Sequence, residues 1–308
     1  MHMIQSLIDN VERVILGKRS IIELSLVALL SEGHILLEDV PGVGKTALVK
    51  AIATSIDASF SRIQFTPDLL PADITGVSIY HPERRTFQFE EGPIFGGVVL
   101  ADELNRASPK TQSALLESME ERSLTVDGKT YDLPEPFFVM ATQNPIEHQG
   151  TYPLPEAQLD RFLFLLTIGY PSEEEEIRLV LEEEARSADE LRAVCTVEDV
   201  LRMQKEVRDV HVAENIATYI VQLVRATRDH EAIALGMSPR STIAYMRAAQ
   251  AYAYVKGRSF VTPDDVQQLF PPIARHRLLI RREAAYNGVT SEQIIDDILQ
   301  LIPVPVEG

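Results

Sequence analysis

A glycine-rich loop followed by a lysine and a threonine is the first segment of this sequence that could do chemistry. The loop and the residue after it read Pro41, Gly42, Val43, Gly44, Lys45, Thr46 and Ala47. A loop of this kind between a buried strand and a helix directs backbone N–H groups at one point, where the helix dipole adds positive potential. We therefore predict a phosphate site, in which Lys45 reaches the β and γ phosphates and the Thr46 hydroxyl binds Mg²⁺.

One position departs from the usual phosphate-loop pattern. The pattern GxxxxGK[ST] has glycine where this chain has Asp39. Aspartate tolerates left-handed backbone better than most residues, so we expect the turn to form. A lone GKT triplet would be weak support, because glycine-rich helix starts often have structural reasons. The apolar run before the loop and the helical segment after it favour nucleotide binding.

Two adjacent carboxylates, Asp102 and Glu103, follow the apolar run 98–101. The carboxyl ends of buried parallel strands are where open α/β sheets bind their ligands. We predict that Asp102 holds Mg²⁺ and that Glu103 polarises the attacking water as general base. Alone, the pair would be interpreted as solvated acids, but the phosphate loop upstream favours the functional interpretation. Gln64, at the end of another predicted strand, is a candidate to hold Glu103 inactive.

A second polar segment follows the apolar run 137–141. It contains Asn144, which is a candidate to position the water or the γ phosphate. The alternative is a turn-forming asparagine before a proline, which would be preferred if the segment stood alone. The segment therefore gains its functional interpretation only from its place in the predicted sheet.

The elements that must position these residues follow from the apolar pattern. Short apolar runs recur in the first half at 34–38, 60–64, 98–101, 137–141 and 163–168. Such runs, separated by turns and helices, predict strands of a parallel sheet that is buried on both faces. After residues 169–171 the strand pattern stops, and capping patterns at Ser172, Thr196, Ser238 and Thr262 predict a helical bundle. The fold class is α/β, followed by an all-helical region.

Composition excludes several classes of protein. The chain has 308 residues, with 45% hydrophobic and 24% charged residues, which is ordinary for a globular protein. Its net charge of −17 disfavours binding to nucleic acid or anionic lipid. A single cysteine, Cys195, and the absence of an HExxH motif disfavour a disulfide scaffold or a zinc site. We find no secretory leader and no run of 18 apolar residues, which predicts a cytoplasmic protein without a membrane span.

Taken together, the motifs resemble those of the MoxR family of AAA+ ATPases. The matching segments occur in order over nearly the whole chain and are Glu38–Thr46, Gly92–Phe95, Leu100–Ala107, Ala141–Pro145 and Leu154–Phe162. Asp39 is common in that family. The resemblance implies a P-loop AAA+ αβα sandwich with a parallel sheet at residues 1–170, followed by an all-helical lid domain at residues 171–308.

The resemblance also implies roles for individual residues. It makes Asn144 the sensor 1 residue, Arg161 an arginine finger for the neighbouring subunit's site, and Arg240 the sensor 2 residue of a lid helix. Whether Arg240 acts on its own nucleotide or on a neighbour's stays open. The resemblance places Gly17 near the adenine. The alternative for Arg161 is an ion pair within its own chain, to Asp160 or Glu156.

Two hairpins interrupt the first half. Alternating residues around the turn 81–85 and the Asp127-Gly128 pair predict hairpins at 76–89 and 124–131. The resemblance implies that they face a pore or a client in a ring, expected to be a hexamer. It also implies ATP and Mg²⁺ as cofactors, and a chaperone-like function with VWA-domain partners or with enzymes that await a metal cofactor.

Two other functions stay open at this point. A DNA helicase or loader would belong to the same branch of AAA+ proteins, and the lid cluster Arg275, His276, Arg277, Arg281 and Arg282 is the basic segment that could serve it. A small-molecule kinase could use the same phosphate loop. The Asp102–Glu103 pair favours water as the acceptor over a kinase substrate.

Overall fold

The computed structural model describes residues 2–40, 42–144, 150–181 and 188–305. Pro41, which the sequence places in the phosphate loop, lies outside these ranges. The helices of the first half are α1 (His2–Glu12), α2 (Arg19–Leu30), α3 (Lys45–Ser55), α4 (Pro71–Thr75), α5 (Pro109–Glu121) and α6 (Glu156–Leu159). Its strands are β1 (Ile35–Glu38), β2 (Phe60–Gln64), β3 (Gly76–His81), β4 (Thr86–Glu91), β5 (Val98–Asp102), β6 (Ser123–Val126), β7 (Lys129–Asp132), β8 (Phe138–Gln143) and β9 (Phe164–Leu166).

The second half is mainly helical. Its helices are α7 (Glu173–Leu181), α8 (Val197–Arg208), α9 (Glu214–Asp229), α10 (Pro239–Val255), α11 (Pro263–Ala274), α12 (Arg282–Tyr286) and α13 (Ser291–Leu301). The prediction of an all-helical lid needs one addition, because β10 (Ile233–Leu235) and β11 (Leu279–Ile280) pair antiparallel. Two residues are enough to pair, but such a stretch is too short to give a strand pattern in the sequence.

The five apolar runs of the sequence form the central sheet. Over the described residues its spatial order is β2-β5-β8-β1-β9, and all its pairings are parallel. All carboxyl ends of these strands therefore meet at one edge. β1 leads into the phosphate loop, β5 ends at Asp102 and β8 ends next to Asn144. The strand order thus brings together segments that are about 100 residues apart in the sequence.

Helices cover both faces of the sheet, as the uninterrupted apolar runs predict. Side chains of successive strand residues point to opposite faces. Ile35 and Leu37 join a core cluster with α1, α2, α3 and the helical second half. Leu36, between them, joins a second cluster with α5. This is the αβα sandwich expected for an AAA+ protein, and its first core continues into the lid.

Capping hydrogen bonds fix where the lid helices begin. Thr196 and Asp199 form the predicted capping box at α8, in which each side chain accepts a hydrogen bond from the other residue's backbone N–H. Ser238 caps α10, with Pro239 as its first residue. Since Arg240 follows directly, this cap places Arg240 in the first turn of α10. Among the described residues, no helix combines the length and the apolarity needed to cross a bilayer.

Both predicted hairpins are present. β3 pairs with β4 directly after α4, and β6 pairs with β7 directly after α5. Phe89 of the first hairpin stacks on Tyr131 of the second, with ring centroids 4.3 Å apart. Tyr80 and Phe87 form an exposed aromatic pair toward the tip of the first hairpin. The two hairpins are therefore in contact at their bases, and the first one presents apolar side chains to solvent.

Candidate functional site

A pocket of about 440 Å³ lies at the carboxyl edge of the sheet. It is lined by Gly42, Gly44, Lys45, Thr46, Ala47, Arg62, Gln64, Asp102, Glu103, Thr142 and Asn144. We call it the nucleotide pocket. It contains Gly42, Gly44, Lys45, Thr46 and Ala47 of the predicted phosphate loop, both carboxylates and Asn144. Arg161 and Arg240, for which the resemblance also implies a role, are not among the residues that line this pocket.

The phosphate loop has the backbone that glycine permits. Gly42 and Gly44 have φ of +88° and +90°, in the left-handed region that side-chain-bearing residues rarely adopt. Gly44 is the residue before α3, so the first N–H groups of that helix open into the pocket. Lys45 Nζ lies in the same place and donates to the backbone oxygen of Asp39 at 3.0 Å. The Val43 side chain packs instead against the core.

The presence of aspartate at position 39 has a different structural reason from the one that the sequence suggested. It is not among the described residues with positive φ, so tolerance of left-handed backbone is not what it provides. Its buried carboxylate accepts hydrogen bonds from the backbone N–H groups of Ile168, at 2.5 Å, and Gly169, at 3.2 Å. Asp39 therefore fastens the phosphate loop to the segment that leaves β9.

One buried threonine, Thr142, forms hydrogen bonds with both Asp102 and Glu103. The Thr142 hydroxyl donates to Asp102 Oδ1 at 2.7 Å and accepts from the Glu103 N–H at 2.8 Å. Glu103 has φ +55°, a strained conformation for a residue with a side chain. The Asp102 carboxylate bonds to Thr142, whereas the Glu103 carboxylate bonds to other residues, as separate tasks would require. The sequence predicts no role for Thr142, because nothing in its immediate sequence signals this contact.

Each carboxylate also has cationic or amide neighbours. Arg62 donates to Asp102 Oδ2 at 2.6 Å. Glu103 Oε2 accepts from Gln64 Nε2 at 2.9 Å and from Arg106 Nη1 at 3.0 Å. The contact between Gln64 and Glu103 is the one that strand neighbourhood suggested. Arg62 and Arg106 were not expected, because their contacts depend on how β2 pairs with β5 and on the turn after β5.

The donor set of the pocket fits a magnesium ion. The Thr46 hydroxyl and the Asp102 carboxylate are hard oxygen ligands, and Mg²⁺ commonly takes only one or two protein ligands beside water and phosphate oxygens. No group of three or more His, Cys, Asp or Glu that could hold a metal by itself occurs among the described residues. Any magnesium site here would therefore depend on a bound phosphate group for part of its ligands.

Gly17 lies outside the lining of the nucleotide pocket. It has φ +70°, and a Cβ atom at this position would lie 1.3 Å from Glu175 Oε1. Its neighbour Lys18 donates to the backbone oxygen of Tyr170 at 2.7 Å. Glycine is therefore required here to let the start of the lid approach, whatever else the segment binds.

Arg161 and Arg240 line a second cavity, of about 310 Å³, that shares no residue with the nucleotide pocket. Five arginines line it, namely Arg122, Arg161, Arg240, Arg247 and Arg277, together with the carboxylates of Glu32, Glu120 and Asp160. We call it the arginine pocket. Five positive and three negative charges leave it with a net charge of +2, in a chain whose total is −17. Composition alone gave no sign of this local excess.

Asp160 connects the arginine pocket to the lid. Its carboxylate accepts from Arg277 Nε at 2.7 Å and from the hydroxyls of Ser238 and Ser241 at the start of α10. Burial alone would raise the pKa of Asp160, but the charge of Arg277 and these hydrogen bonds lower it below its usual value. Because Asp160 precedes Arg161, this network fixes the backbone of Arg161 against the helix that carries Arg240.

We expect Asp160→Ala to lower the free energy of unfolding by about 3 kcal/mol, because it leaves the buried Arg277 guanidinium without its carboxylate. Urea denaturation at neutral pH measures the change. Asp189→Ala is the matched control, since Asp189 pairs with Lys50 at the surface and its loss should cost less than about 1 kcal/mol. Equal losses in the two variants would contradict the structural role of Asp160.

His34 positions the end of α5 behind the arginine pocket. Its Nδ1 accepts from the Val139 N–H at 3.1 Å, and its Nε2 lies 3.3 Å from the Met119 backbone oxygen. These contacts fit a neutral imidazole that is protonated on Nε2. Complete burial, aided by the nearby arginines, lowers the pKa of His34 from 6.5 to about 4. His276, also buried, has its pKa lowered for the same principal reason.

We expect the free energy of unfolding to fall as the pH is lowered from about 6.5 toward 4. In this range both histidines become protonated in the unfolded chain, whereas burial disfavours protonation of His34 and His276 in the folded protein. His34 alone accounts for on the order of 3 kcal/mol over that range. Urea denaturation at pH 7.5, 6.0 and 5.0 tests this. His34→Gln should be less stable at pH 7.5 and show a smaller pH slope; an unchanged slope would contradict the assignment.

Comparisons with known proteins agree with this geometry. The profile of the ATPase family associated with various cellular activities (AAA) matches residues 34–164, and that of the AAA lid domain matches residues 225–298. Uncharacterised protein YeaC of Bacillus subtilis is 55% identical over 97% of this chain and 94% of its own length. Chaperone MoxR1 of Mycobacterium tuberculosis is 44% identical over 99% of this chain and 83% of its own. A crystal structure of a presumptive ATPase from Cytophaga hutchinsonii superposes with a TM-score of 0.92, at 38% identity, covering 99% of this chain and 96% of its own.

Proposed function

Because the chain belongs to the MoxR family of AAA+ ATPases, we propose that it hydrolyses ATP with Mg²⁺ at the subunit interfaces of a homo-oligomeric ring and uses that energy to remodel a protein client. The observation that carries the ATPase proposal is the convergence of Lys45, Asp102, Glu103 and Asn144 on one pocket behind a helix N-terminus. These residues end or follow three different strands of the sheet, namely β1, β5 and β8.

The nucleotide pocket divides the work among its residues. Backbone N–H groups at the start of α3 and the Lys45 ammonium bind the β and γ phosphates. Thr46 and Asp102 hold Mg²⁺, which when bound neutralises charge on the phosphate oxygens. Ala47 belongs to the same helix start, and Gly17 lies toward the adenine side. Asn144, 9% exposed at the end of β8, orients the γ phosphate or the attacking water.

Glu103 is the general base of the proposal. Its carboxylate takes a proton from the attacking water, for which it needs a free oxygen directed at that water. In this structure Gln64 and Arg106 both bind Oε2. We infer that these two contacts hold the Glu103 side chain in its present orientation until the site is assembled. The left-handed backbone of Glu103 fixes the direction of its side chain at the pocket rim.

Hydrolysis in trans is supported by the separation of the two pockets. Arg161 and Arg240 lie in the arginine pocket, so they stabilise the phosphoryl group bound by an adjoining subunit. Since both guanidinium groups occupy that one pocket, we assign Arg240, like Arg161, to the neighbour's nucleotide. A ring, expected to be a hexamer, supplies such a neighbour at every interface.

The hairpins are the proposed client-contacting elements. Phe87 is 71% exposed at the tip of the first hairpin, and Tyr80, Val77 and Ile79 are also exposed. One full-length relative is described as a chaperone, which supports a protein client. We propose that the domain at residues 1–170 and the lid at residues 171–308 move relative to each other when ATP binds, and that this closure moves the hairpins. The client class that we propose is a VWA-domain protein or an enzyme that awaits its metal cofactor. We propose that the protein acts in the cytoplasm.

A DNA helicase is not favoured. The basic lid segment that could serve one includes His276 and Arg277, which are 9% and 7% exposed, and Arg277 is bound to Asp160. Arg275 of that segment pairs with Glu292 at 3.4 Å, so a further cation is already engaged by a carboxylate, whereas phosphate binding requires several aligned cations.

The proposal is tested by measuring ATP hydrolysis per subunit over a range of protein concentrations, with and without Mg²⁺. Activity that requires Mg²⁺ and rises steeply with protein concentration is expected. The absence of ATP affinity would reject the ATPase proposal, and constant activity per subunit in a protein that stays monomeric would reject its trans half. A low-salt titration with single- and double-stranded DNA should be flat.

A further inference from the structure

Glu120 is shared between the two arginines to which the proposed function gives a role. Arg161 Nε lies 3.0 Å from its Oε2, and Arg240 Nη1 lies 2.6 Å from its Oε1. One carboxylate therefore binds two guanidinium groups, one on each oxygen. Two oxygens of one phosphoryl group would present the same pattern to the same pair of donors.

Helix stability does not account for the position of Glu120. It lies in the last turn of α5, where the partial negative charge of the helix end disfavours a carboxylate. Its side chain is 34% exposed, and those of Arg161 and Arg240 are 26% and 51% exposed. Ion pairs at this level of exposure are weak and exchange their partners readily. The contact can hold the arginines, but a stronger anion can replace it.

The other two carboxylates of the arginine pocket are committed elsewhere. Asp160 binds the buried Arg277 and the start of α10. Glu32 binds Arg122 and Arg208. Glu120 is thus the carboxylate that binds Arg161 and Arg240, while the hydrogen bonds of Asp160 to Arg277 and to the start of α10 keep the adjoining backbone in place. Only side chains need to move when the partner of these arginines changes.

We propose that Glu120 is a positioning residue that occupies the place of the neighbour's γ phosphate in the unassembled subunit and releases Arg161 and Arg240 to that phosphate when the interface closes. This proposal rests on the proposed trans function and adds its regulation. The carboxylate keeps the two guanidinium groups together and offsets one of their two positive charges until ATP arrives from the adjoining subunit. It thereby opposes assembly without nucleotide, because closing the interface must first break two ion pairs.

The test compares Glu120→Gln and Glu120→Ala with Glu117→Gln, which removes the same charge one turn earlier on α5. Both Glu120 variants should reach half-maximal ATPase activity at about three- to tenfold lower protein concentration, with maximal turnover within about threefold of wild type. Glu117→Gln should shift the curve less than about twofold. An unshifted curve, or one shifted to higher concentration, would overturn the proposal. So would a large loss of maximal turnover, because it would mean that Glu120 supports the arginines in the assembled state.

A double-mutant comparison shows whether the effect passes through the arginines. Assembly in ATP and Mg²⁺ is measured by sedimentation, first in wild type and then in the Arg161→Ala/Arg240→Ala protein. Glu120→Gln should promote assembly in the first and have no effect in the second. An equal effect in both would overturn the proposal. If Arg161→Ala alone keeps full activity, the trans function fails. If it is inactive while the Glu120 variants behave as wild type, only the exchange of partners fails.

Discussion

Arg161→Ala is expected to lower the maximal ATP turnover of the assembled protein by about 10³- to 10⁵-fold, the range in which an arginine finger acts. Its guanidinium neutralises the charge that develops on the transferred phosphoryl group, and water cannot replace a preorganised cation. ATP affinity of the unassembled subunit should stay unchanged, because Arg161 does not line the nucleotide pocket of its own chain. Turnover per subunit at saturating protein and ATP is the measurement. Full activity in the assembled variant would contradict the assignment.

Mixing two inactive variants determines which subunit supplies each residue. Lys45→Ala removes the phosphate-binding ammonium and keeps the arginine pocket, whereas Arg161→Ala does the reverse. An equal mixture should recover about a quarter of wild-type turnover, because about a quarter of its interfaces join an intact nucleotide pocket to an intact arginine pocket. Arg161→Ala mixed with Arg240→Ala should stay inactive, since one subunit supplies both arginines. Recovery in this second mixture would place Arg240 on its own chain's nucleotide.

Glu103→Gln is expected to reduce hydrolysis by about 10²- to 10⁴-fold, while ATP binding persists. Glutamine keeps the shape of the side chain and its contacts with neighbouring residues but cannot take a proton from water. The variant should therefore retain unhydrolysed ATP, which filter binding and analysis of the bound nucleotide measure. Glu38→Gln is the matched control, because Glu38 ends strand β1 of the same sheet and does not line the nucleotide pocket. Its turnover should stay within about threefold of wild type.

The same variant separates hydrolysis from phosphoryl transfer to a small molecule. A kinase does not need a carboxylate to activate water, so its transfer rate would survive Glu103→Gln. Hydrolysis that continues at the wild-type rate would contradict the assignment of Glu103 as general base. The ATP-retaining protein is also the best form for capturing a client, because a ring held before hydrolysis keeps its interfaces closed. A bound VWA-domain protein would support the proposed partner class.

Much of the fold could be predicted because its signals are local. Each apolar run of the first half forms a strand, since four to six apolar residues between turns have few other places to be buried. The Thr196 and Ser238 caps lie within three residues of the groups they bind. The glycines of the phosphate loop predict positive φ values, because no other residue adopts such values with so little steric cost. Meeting of the strand ends then follows from parallel pairing.

Contacts between distant segments could not be predicted in this way. The sequence correctly marks Asp39 as unusual, but its partners lie 129 and 130 residues away, so only the fold explains it. Thr142 looks like any strand-end threonine until β8 lies beside β5. The basic lid segment looks exposed in the sequence, yet Arg277 is buried. Hydrogen bonds of this kind carry no periodicity and leave no local trace.

The amino-acid sequence by itself determined the α/β fold class, the phosphate loop and the carboxylate pair, because each depends on contiguous stretches whose residue types suffice. Only the tertiary structure decided that Arg161 and Arg240 share one pocket and one carboxylate, apart from the nucleotide pocket of their own chain. The reason is physical. Charges act through space over a few ångströms, and it is the packing of α5, the segment before β9 and α10 that sets those distances.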